Sequence, residues 1–471
     1  MFSKANPEQK KVIQYVTNKI DNEYGKRLVL LKAAAGTGKT YFLNAIIKYC
    51  YSKFGTNISC IVVSTTAISA QLLENGNTSH SIFKLPLDVF QNNAVSGLAF
   101  NSDMTKQMES AKVLIWDEIF AIWWDLIEVV NKFLKALFNT VQPFGNLTCV
   151  FSGDVRQTLP KLKRASRETI VNLCISRSNL YSLFRVFSLS TNMRLRGINN
   201  PNAVKFAKFI LDVGDGTYPI DSVNQIELPN FIDVTNTLNN VVENVYSNNI
   251  NLLQPSQLSL RGILAPLNKD VWALNKQILE LLNGSKREYL SYDEEIDEVG
   301  ETVYDLPDDV LHEFTRRGLP LHKLELKKNC VVMCLRNLSR NVCNGTKLSV
   351  KKLHENIIDC EILTGPGKGL DISIPRITLK SDAKDEAIII KRRQFPLALA
   401  YAMTIDKSQG QSLEHVGLIL NSQCFSHGQL YTALSRPTIS ENLIVYLPLM
   451  SEPEEVNRFC ENVVWKEVFQ S

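Results

Sequence analysis

Three short strings carry the side chains with the most chemical reach. RLVLLK runs straight into AAAGTGKT, Ala33 to Thr40, and a helical pattern follows at once. Small residues let successive backbone N–H groups curl around phosphate oxygens at a helix N-terminus, where the helix dipole also favours an anion. In that strand–loop–helix context Lys39 reaches the β and γ phosphates, and the Thr40 hydroxyl ligates Mg²⁺. Ala33 stands where the first glycine of such a loop usually is, a small-residue variant, while Gly36-Thr37-Gly38-Lys39-Thr40 is intact.

The second string, KVLIW, ends in Asp117-Glu118, and the third, NLTCVF, runs into Ser152-Gly153-Asp154-Val155-Arg156-Gln157. Carboxylates at the C-terminal end of a strand face the crevice where open α/β sheets bind ligands. Asp117 suits the Mg²⁺ shell, and Glu118 suits orienting and deprotonating an attacking water. Gln157 is placed to sense a γ-phosphate with its amide. An Asp-Glu pair alone is equally a solvated strand end; the upstream phosphate loop gives it chemical meaning.

The elements that must hold these residues follow from apolar runs. Runs at 28–31, 58–63, 113–116 and 147–151 alternate with helix-like segments, the rhythm of a parallel sheet. Between the first two, Phe42, Ile46, Ile47 and Cys50 fall at helical spacing within 41–54. A second α/β set begins at 261–265 and resumes at 401–405, 416–420 and 443–447. Separating its halves, 326–379 is rich in β-branched residues and in turn signals such as Gly365-Pro366-Gly367, which predicts a small inserted β-domain. The expected division is 1–195 for the first α/β domain, 196–325 with 394–471 for the second, and 326–393 for the insertion. The Asn-rich 224–257 and acid-rich 293–309 stretches are expected to be solvated loops or helix faces.

Composition excludes other classes. With 45% hydrophobic and 21% charged residues, the 471-residue chain is neither disordered nor a fibrous rod. Lys plus Arg exceeds Asp plus Glu by only 52 to 48, so a groove for a polyanion must be a local feature. The start lacks an apolar signal core, and LIWDEIFAIWWDLI is broken by three acids, so an intracellular protein with no signal peptide or membrane anchor is expected, compatible with a nuclear, viral or mobile-element replication compartment. The ten cysteines read as buried thiols, because Cys330, Cys334 and Cys343 complete no tetrahedral metal set.

The order of the motifs resembles the Pif-one-like, RecD-related superfamily-one helicases, which translocate 5′ to 3′ on single-stranded DNA. The resemblance starts at Asn6-Pro7-Glu8-Gln9 and passes through AAAGTGKT, STTAISA, Thr78-Ser79-His80-Ser81, IWDE, GDVRQTLP and NMRLRG. It continues through CLRNLSRNVCNGTKL, QFPLALAYAMTIDKSQGQSLEHV and GQLYTALSRPT, and so covers nearly the whole chain. It implies two RecA-like P-loop domains with parallel sheets and an inserted SH3-like β subdomain. It also implies ATP and Mg²⁺ as cofactors, single-stranded DNA and forks as partners, no membrane, a monomer when free, and a role in replication, recombination or repair.

Carried over by position, Gln9 becomes the adenine reader. Ala35, Gly36, Thr37, Gly38, Lys39 and Thr40 become the phosphate cradle, with Gly410 also at the nucleotide. Thr40 and Asp117 hold the metal. Glu118, Lys39, Gln157, Arg194 and Arg436 become catalytic, the two arginines reaching the γ-phosphate from opposite sides of an interdomain cleft. Thr66, His80, Lys407, Ser408 and Gln409 touch the DNA backbone or link it to the nucleotide. The chain departs from the family at Ala67, commonly Gly, at Asp406, commonly His, and at Lys161 after Leu-Pro. Alternatives are an RNA helicase, a protein-stripping translocase, and a P-loop switch that binds a protein partner. A switch needs one nucleotide domain only, and the motifs at 407–410 and 429–436 argue against it.

Overall fold

The computed structural model describes residues 5–22, 27–55, 57–86, 94–162, 165–223, 225–297, 300–303, 306–315, 318–381, 388–449 and 457–470. In the first lobe, β1 (Leu28–Ala33), β2 (Cys60–Ser64), β3 (Asn77–Thr78), β4 (Val113–Asp117), β5 (Thr148–Gly153) and β6 (Arg185–Leu189) form one sheet. The order is β3-β2-β4-β5-β1-β6, and every neighbouring pair is parallel. Side-chain alternation explains the unbroken apolar runs. Leu28 and Leu30 join a core with Trp116, Phe133 and Phe151 on one face, while Val29 and Leu31 join Val12, Val16, Phe42 and Ile46 on the other. Register aligns the catalytic ends, with Lys32 level with Gly153 and Ser64 level with Asp117. The loops after β1, β4 and β5 therefore leave the same edge.

A second parallel sheet has the order 402–404, 261–265, 415–419, 443–446, 233–235. These two sheets are the RecA-like lobes. The Asn-rich stretch is not simply solvated: the helix Leu238–Tyr246 buries Val241, Val242, Val245 and Tyr246 against the second core and turns its asparagines outward.

The insertion is a five-stranded antiparallel sheet in the order 371–375, 357–362, 347–353, 331–334, 397–399. A four-stranded sheet lies at its base, in the order 302–303, 292–296, 389–394, 377–380. That sheet corrects the reading of the acid-rich stretch, of which residues 298–299 and 304–305 lie outside the described residues. Tyr292–Ile296 is a strand, and Asp293 is buried because it accepts both arms of the buried Arg392 guanidinium at 2.8 and 2.7 Å. Three consecutive acids, Asp293 to Glu295, between Tyr292 and Ile296 disguised a strand as a charged surface. Contacts to both lobes hold the insertion, among them Lys347 Nζ donating to Ser259 O of the second lobe at 2.7 Å and Gln71 Nε2 of the first donating to Thr346 Oγ1 at 2.9 Å.

All ten cysteines are free thiols, and nine are buried. Among the described residues no helix is long and apolar enough to cross a membrane.

Candidate active site at the interlobe cleft

The phosphate loop joins β1 to the helix Lys39–Phe54. Gly36 and Gly38 both have φ +81°, left-handed backbone that a side chain would strain, and a Cβ on Gly38 would meet Gln9 Nε2 at 2.5 Å. The loop backbone is thereby fixed in its tight turn, with Thr37 N donating to Ala34 O at 3.3 Å. Its outer wall is 192–194: Met193 N donates to Gly36 O at 2.8 Å. Gln9 caps the first helix together with Asn6 and donates Nε2 to Thr37 O at 3.0 Å, so its amide is fastened to the loop. Thr40 opens the helix, partly exposed beside Lys39.

Lys39 Nζ lies 3.0 Å from Asp117 Oδ1 and 2.5 Å from Glu118 Oε1. Burial works against its charge, but the two carboxylates hold the ammonium above the usual lysine range. Asp117 Oδ1 also accepts from Ser152 Oγ at 2.7 Å, which fixes the carboxylate at the end of β4. Glu118 takes φ +56°, a left-handed conformation rare for a non-glycine residue and typical of over-determined functional sites. Burial pushes its carboxyl above the usual glutamate range; Lys39 pulls it back and Asp117 adds to the rise. A carboxylate with a raised pKa is tuned to accept a proton.

Gln157 is buried, its Nε2 3.3 Å from Asp154 Oδ2, and its Oε1 has no hydrogen-bond partner among the described residues. A buried acceptor without a donor is costly, and such a group at a cleft suits a donor that arrives with the substrate.

The opposite wall comes from the second lobe. Arg436, 3% exposed, donates to Thr432 O (2.8 Å), Ser408 O (3.2 Å), Gln411 O (2.9 Å) and Ser435 Oγ (2.7 Å). Arg194 crosses from the first lobe to donate to Ser435 O at 2.9 Å and Ser412 Oγ at 3.2 Å. Burial and the repulsion of Arg194 bring the Arg436 guanidinium down to about 10, while the charges of Glu118 and Asp154 act on it in the other direction. Burial lowers Arg194 as well. Two like charges held together, one buried and one half-buried, mark a site short of negative charge, and a triphosphate supplies it. Lys39, the glycine cradle and this arginine pair thus fit a polyphosphate.

The residues expected at DNA are spread over the rim. Thr66 caps the helix Ala67–Gln71 through its side chain, and His80 sits half-buried in the helix Ser79–Phe83, where burial lowers its pKa. Lys407 is exposed. Ser408 and Gln409 face inward: Ser408 Oγ donates to Ile405 O at 2.6 Å, and Gln409 Oε1 accepts from Thr158 Oγ1 of the first lobe at 3.3 Å. Gly410, φ +79°, packs beside Ser69, where a Cβ would stand 2.7 Å from Oγ, so it contacts the first lobe away from the phosphate loop. Two of the departures from the family meet: Lys161 of the first lobe forms an ion pair with Asp406 of the second.

Sequence reasoning missed Tyr431, Asp154 and His427. The Tyr431 hydroxyl accepts from Ala35 N at 3.1 Å and donates to Asp154 Oδ2 at 2.6 Å. The His427 ring bridges Val155 O at 3.0 Å and Trp465 N at 2.9 Å. Asp154 was legible as an acid just past a strand end. The other two stand in a string that reads as an apolar helix.

Fold and site together define a P-loop nucleotide-binding protein whose phosphate site is closed by a second RecA-like lobe. Comparison with known proteins narrows the class. Residues 4–224 match the family model described as PIF1-like helicase, and residues 310–353 match that of the DNA helicase Pif1 2B domain. The ATP-dependent DNA helicase RRM3 of Saccharomyces cerevisiae is 24% identical over 93% of this chain and 64% of its own. The ATP-dependent DNA helicase PIF1 of Xenopus laevis is 26% identical over 89% of this chain and 59% of its own. The chain thus spans about three-fifths of the length of these relatives. In fold it is similar to Bacteroides Pif1 bound to single-stranded DNA, with TM-score 0.68 and 22% identity over 94% of this chain and 92% of that one. It is likewise similar to the Pif1 helicase of Candida albicans, with TM-score 0.64 and 21% identity over 99% and 98%. The chain belongs to the PIF1-like helicase family.

Proposed function

We propose that this chain is an ATP-dependent DNA helicase that moves 5′ to 3′ on single-stranded DNA and separates the duplex it meets. One observation carries the reading: Lys39, Asp117 and Glu118 form an ion-paired cluster on one lobe, while the buried Arg436 of the second lobe and the half-buried Arg194, reaching across from the first, meet at Ser435 on the other side of the cleft. Chemistry completed by two lobes makes lobe movement part of turnover, as a motor requires. One chain supplies both walls, which supports action as a monomer.

In this reading ATP is the substrate. The loop amides and Lys39 bind its phosphates, and Gln9 reads the adenine after exchanging its bond to Thr37. Thr40 and Asp117 would hold Mg²⁺, which when bound neutralises phosphate charge. Glu118 takes the proton of the attacking water, Gln157 Oε1 orients it, and Arg194 with Arg436 stabilises charge on the transferred phosphoryl. Tighter binding of ATP than of ADP across the two lobes drives closure and release. Thr66 and Lys407 alternate in holding the DNA backbone, which gives grip without sequence preference. Ser408 and Gln409 link that grip to Arg436 and Thr158.

The domain assignment stays as two RecA-like lobes and an insertion. The pairing of 287–290 with 323–326 and of 292–296 with 389–394 supports starting the insertion near 287 instead of 326. The test compares ATP turnover without polymer, with single-stranded DNA and with RNA, followed by forks carrying either a 5′ or a 3′ tail. Stimulation by DNA and unwinding of the 5′-tailed fork are expected; equal turnover in all three conditions refutes the motor.

A further inference from the structure

A hydrogen-bonded path crosses the cleft at a residue with no role in the scheme above. Tyr431 lies on the helix Gln429–Leu434 of the second lobe and is fully buried. Its ring rests on the helix Pro201–Asp215 at Gly214, where a Cβ would come within 2.5 Å of it, so this close seat depends on glycine. A tyrosine hydroxyl has one proton to give. Here it goes to Asp154 Oδ2 at 2.6 Å, while the oxygen accepts the Ala35 amide of the phosphate loop at 3.1 Å. Asp154 Oδ2 also receives Gln157 Nε2 at 3.3 Å. One carboxylate oxygen therefore ties the second lobe to Gln157, and one hydroxyl ties that carboxylate to the loop.

The path is well placed to carry a signal. A shift of Ala35 as phosphates fill the loop changes its distance to the hydroxyl. The hydroxyl cannot move without loading or releasing Asp154, and Asp154 sets the orientation of the Gln157 amide. Burial and the neighbouring Asp154 charge push the Tyr431 phenol well above its usual range, so the hydroxyl keeps its proton and stays a donor. Arg156, next in sequence to Gln157, is held by both arms to Asp215 at 2.7 and 3.1 Å, which stiffens the far end of the path.

We propose that Tyr431 is a positioning residue that couples occupancy of the phosphate loop to the orientation of Gln157 and to the seating of the second lobe. The proposal rests on the reading of the chain as an ATP-driven DNA motor and adds to it the route by which one lobe reads the other's nucleotide.

Tyr431→Phe keeps the ring and its packing and removes both hydrogen bonds. Bonds to charged partners of this kind are worth about a ten- to hundredfold change in rate. The expected result is a loss of about tenfold or more in kcat with single-stranded DNA present. KM for ATP should change less than about threefold, and the ratio of DNA-stimulated to unstimulated turnover should collapse. Asp154→Asn should lose rate by the same route, and the double variant should be no worse than the poorer single one. Rescue of neither single variant by excess ATP is also expected. Three results overturn the proposal: a wild-type stimulation ratio in Tyr431→Phe, a raised KM with kcat kept, or fully additive losses with Asp154→Asn. A wild-type chain whose turnover ignores DNA sinks the motor reading and this inference with it. Wild-type stimulation beside an undiminished Tyr431→Phe sinks the inference alone.

Discussion

Replacing Arg436 separates what the second lobe contributes to chemistry from what it contributes to its own stability. Arg436→Ala leaves three carbonyls, those of Thr432, Ser408 and Gln411, without their guanidinium donor. Thr432 O still accepts from Ser435 Oγ and Ser408 O from Gln411 N, so Gln411 O bears most of the loss. A buried acceptor so abandoned costs about 1–3 kcal/mol, whereas relief of the repulsion between Arg436 and Arg194 and of the buried charge acts in the opposite direction. The net loss should be about 2 kcal/mol, a fraction of the roughly 5–15 kcal/mol by which domains are stable, so the lobe stays folded. In the proposed mechanism turnover should fall far more, by about 10³-fold or roughly 4 kcal/mol of transition-state stabilisation, because there the planar fork meets charge that develops during phosphoryl transfer. Arg436→Lys retains the charge but cannot reach Thr432, Ser408 and Gln411 together, and should recover stability in part and rate very little. The assay pairs single-turnover ATP hydrolysis on single-stranded DNA with binding of a non-hydrolysable triphosphate, and circular dichroism monitors the fold. Binding within a few-fold of the wild type beside a collapsed rate is expected. A folded Arg436→Ala chain that turns over within tenfold of the wild type would refute the idea that the site is completed from two lobes.

The raised Glu118 pKa predicts an acid limb in kcat/KM: the base works when deprotonated, so the rate should rise with pH through a value above the usual glutamate range, and Glu118→Gln should abolish turnover and limb together. Burial depresses the His427 pKa, so the unfolded chain takes the proton first; its contribution is full above about 6.5 and is lost as pH falls through the lower folded value. Thermal melts from pH 7.5 to 5 should therefore show a steeper fall for the wild type than for His427→Gln, and parallel curves would count against a neutral ring between Val155 and Trp465. The Lys161–Asp406 pair, with side chains 39% and 26% exposed, is worth at most about 1 kcal/mol. Its larger effect should be on DNA: Lys161→Ala leaves a bare carboxylate beside Lys407 and should weaken single-stranded DNA binding about three- to fivefold in low salt. Adding Asp406→Ala should restore it, and binding titrations without that rescue would show that the two departures do not compensate each other.

How much of this was legible in the sequence depends on the range of the forces involved. β1, β4 and β5 were readable because a strand buried on both faces must be apolar at every position, and the glycines of the phosphate loop because the backbone there needs φ +81°. β3 and β6 were not: β3 has two residues, and Arg185 to Leu189 lies at the sheet edge, mostly exposed, so it carries no buried run. Tyr292–Ile296 was hidden for a different reason. Asp293 is buried only because Arg392, 99 residues later, neutralises it, and local pattern has no access to such a partner. The same limit governs the cleft. Lys39 announces itself by its motif, but Ser408 and Gln409, expected at DNA, turn inward because Arg436 needs the Ser408 carbonyl and Thr158 needs the Gln409 amide oxygen. Tyr431 and Ala35 are 396 residues apart, and nothing in either neighbourhood records their hydrogen bond. Motifs name the groups that meet a ligand, since their chemistry constrains residue type directly. The residues that let two lobes sense each other are constrained only by the partner across the gap, and it takes the folded chain to bring that partner into view.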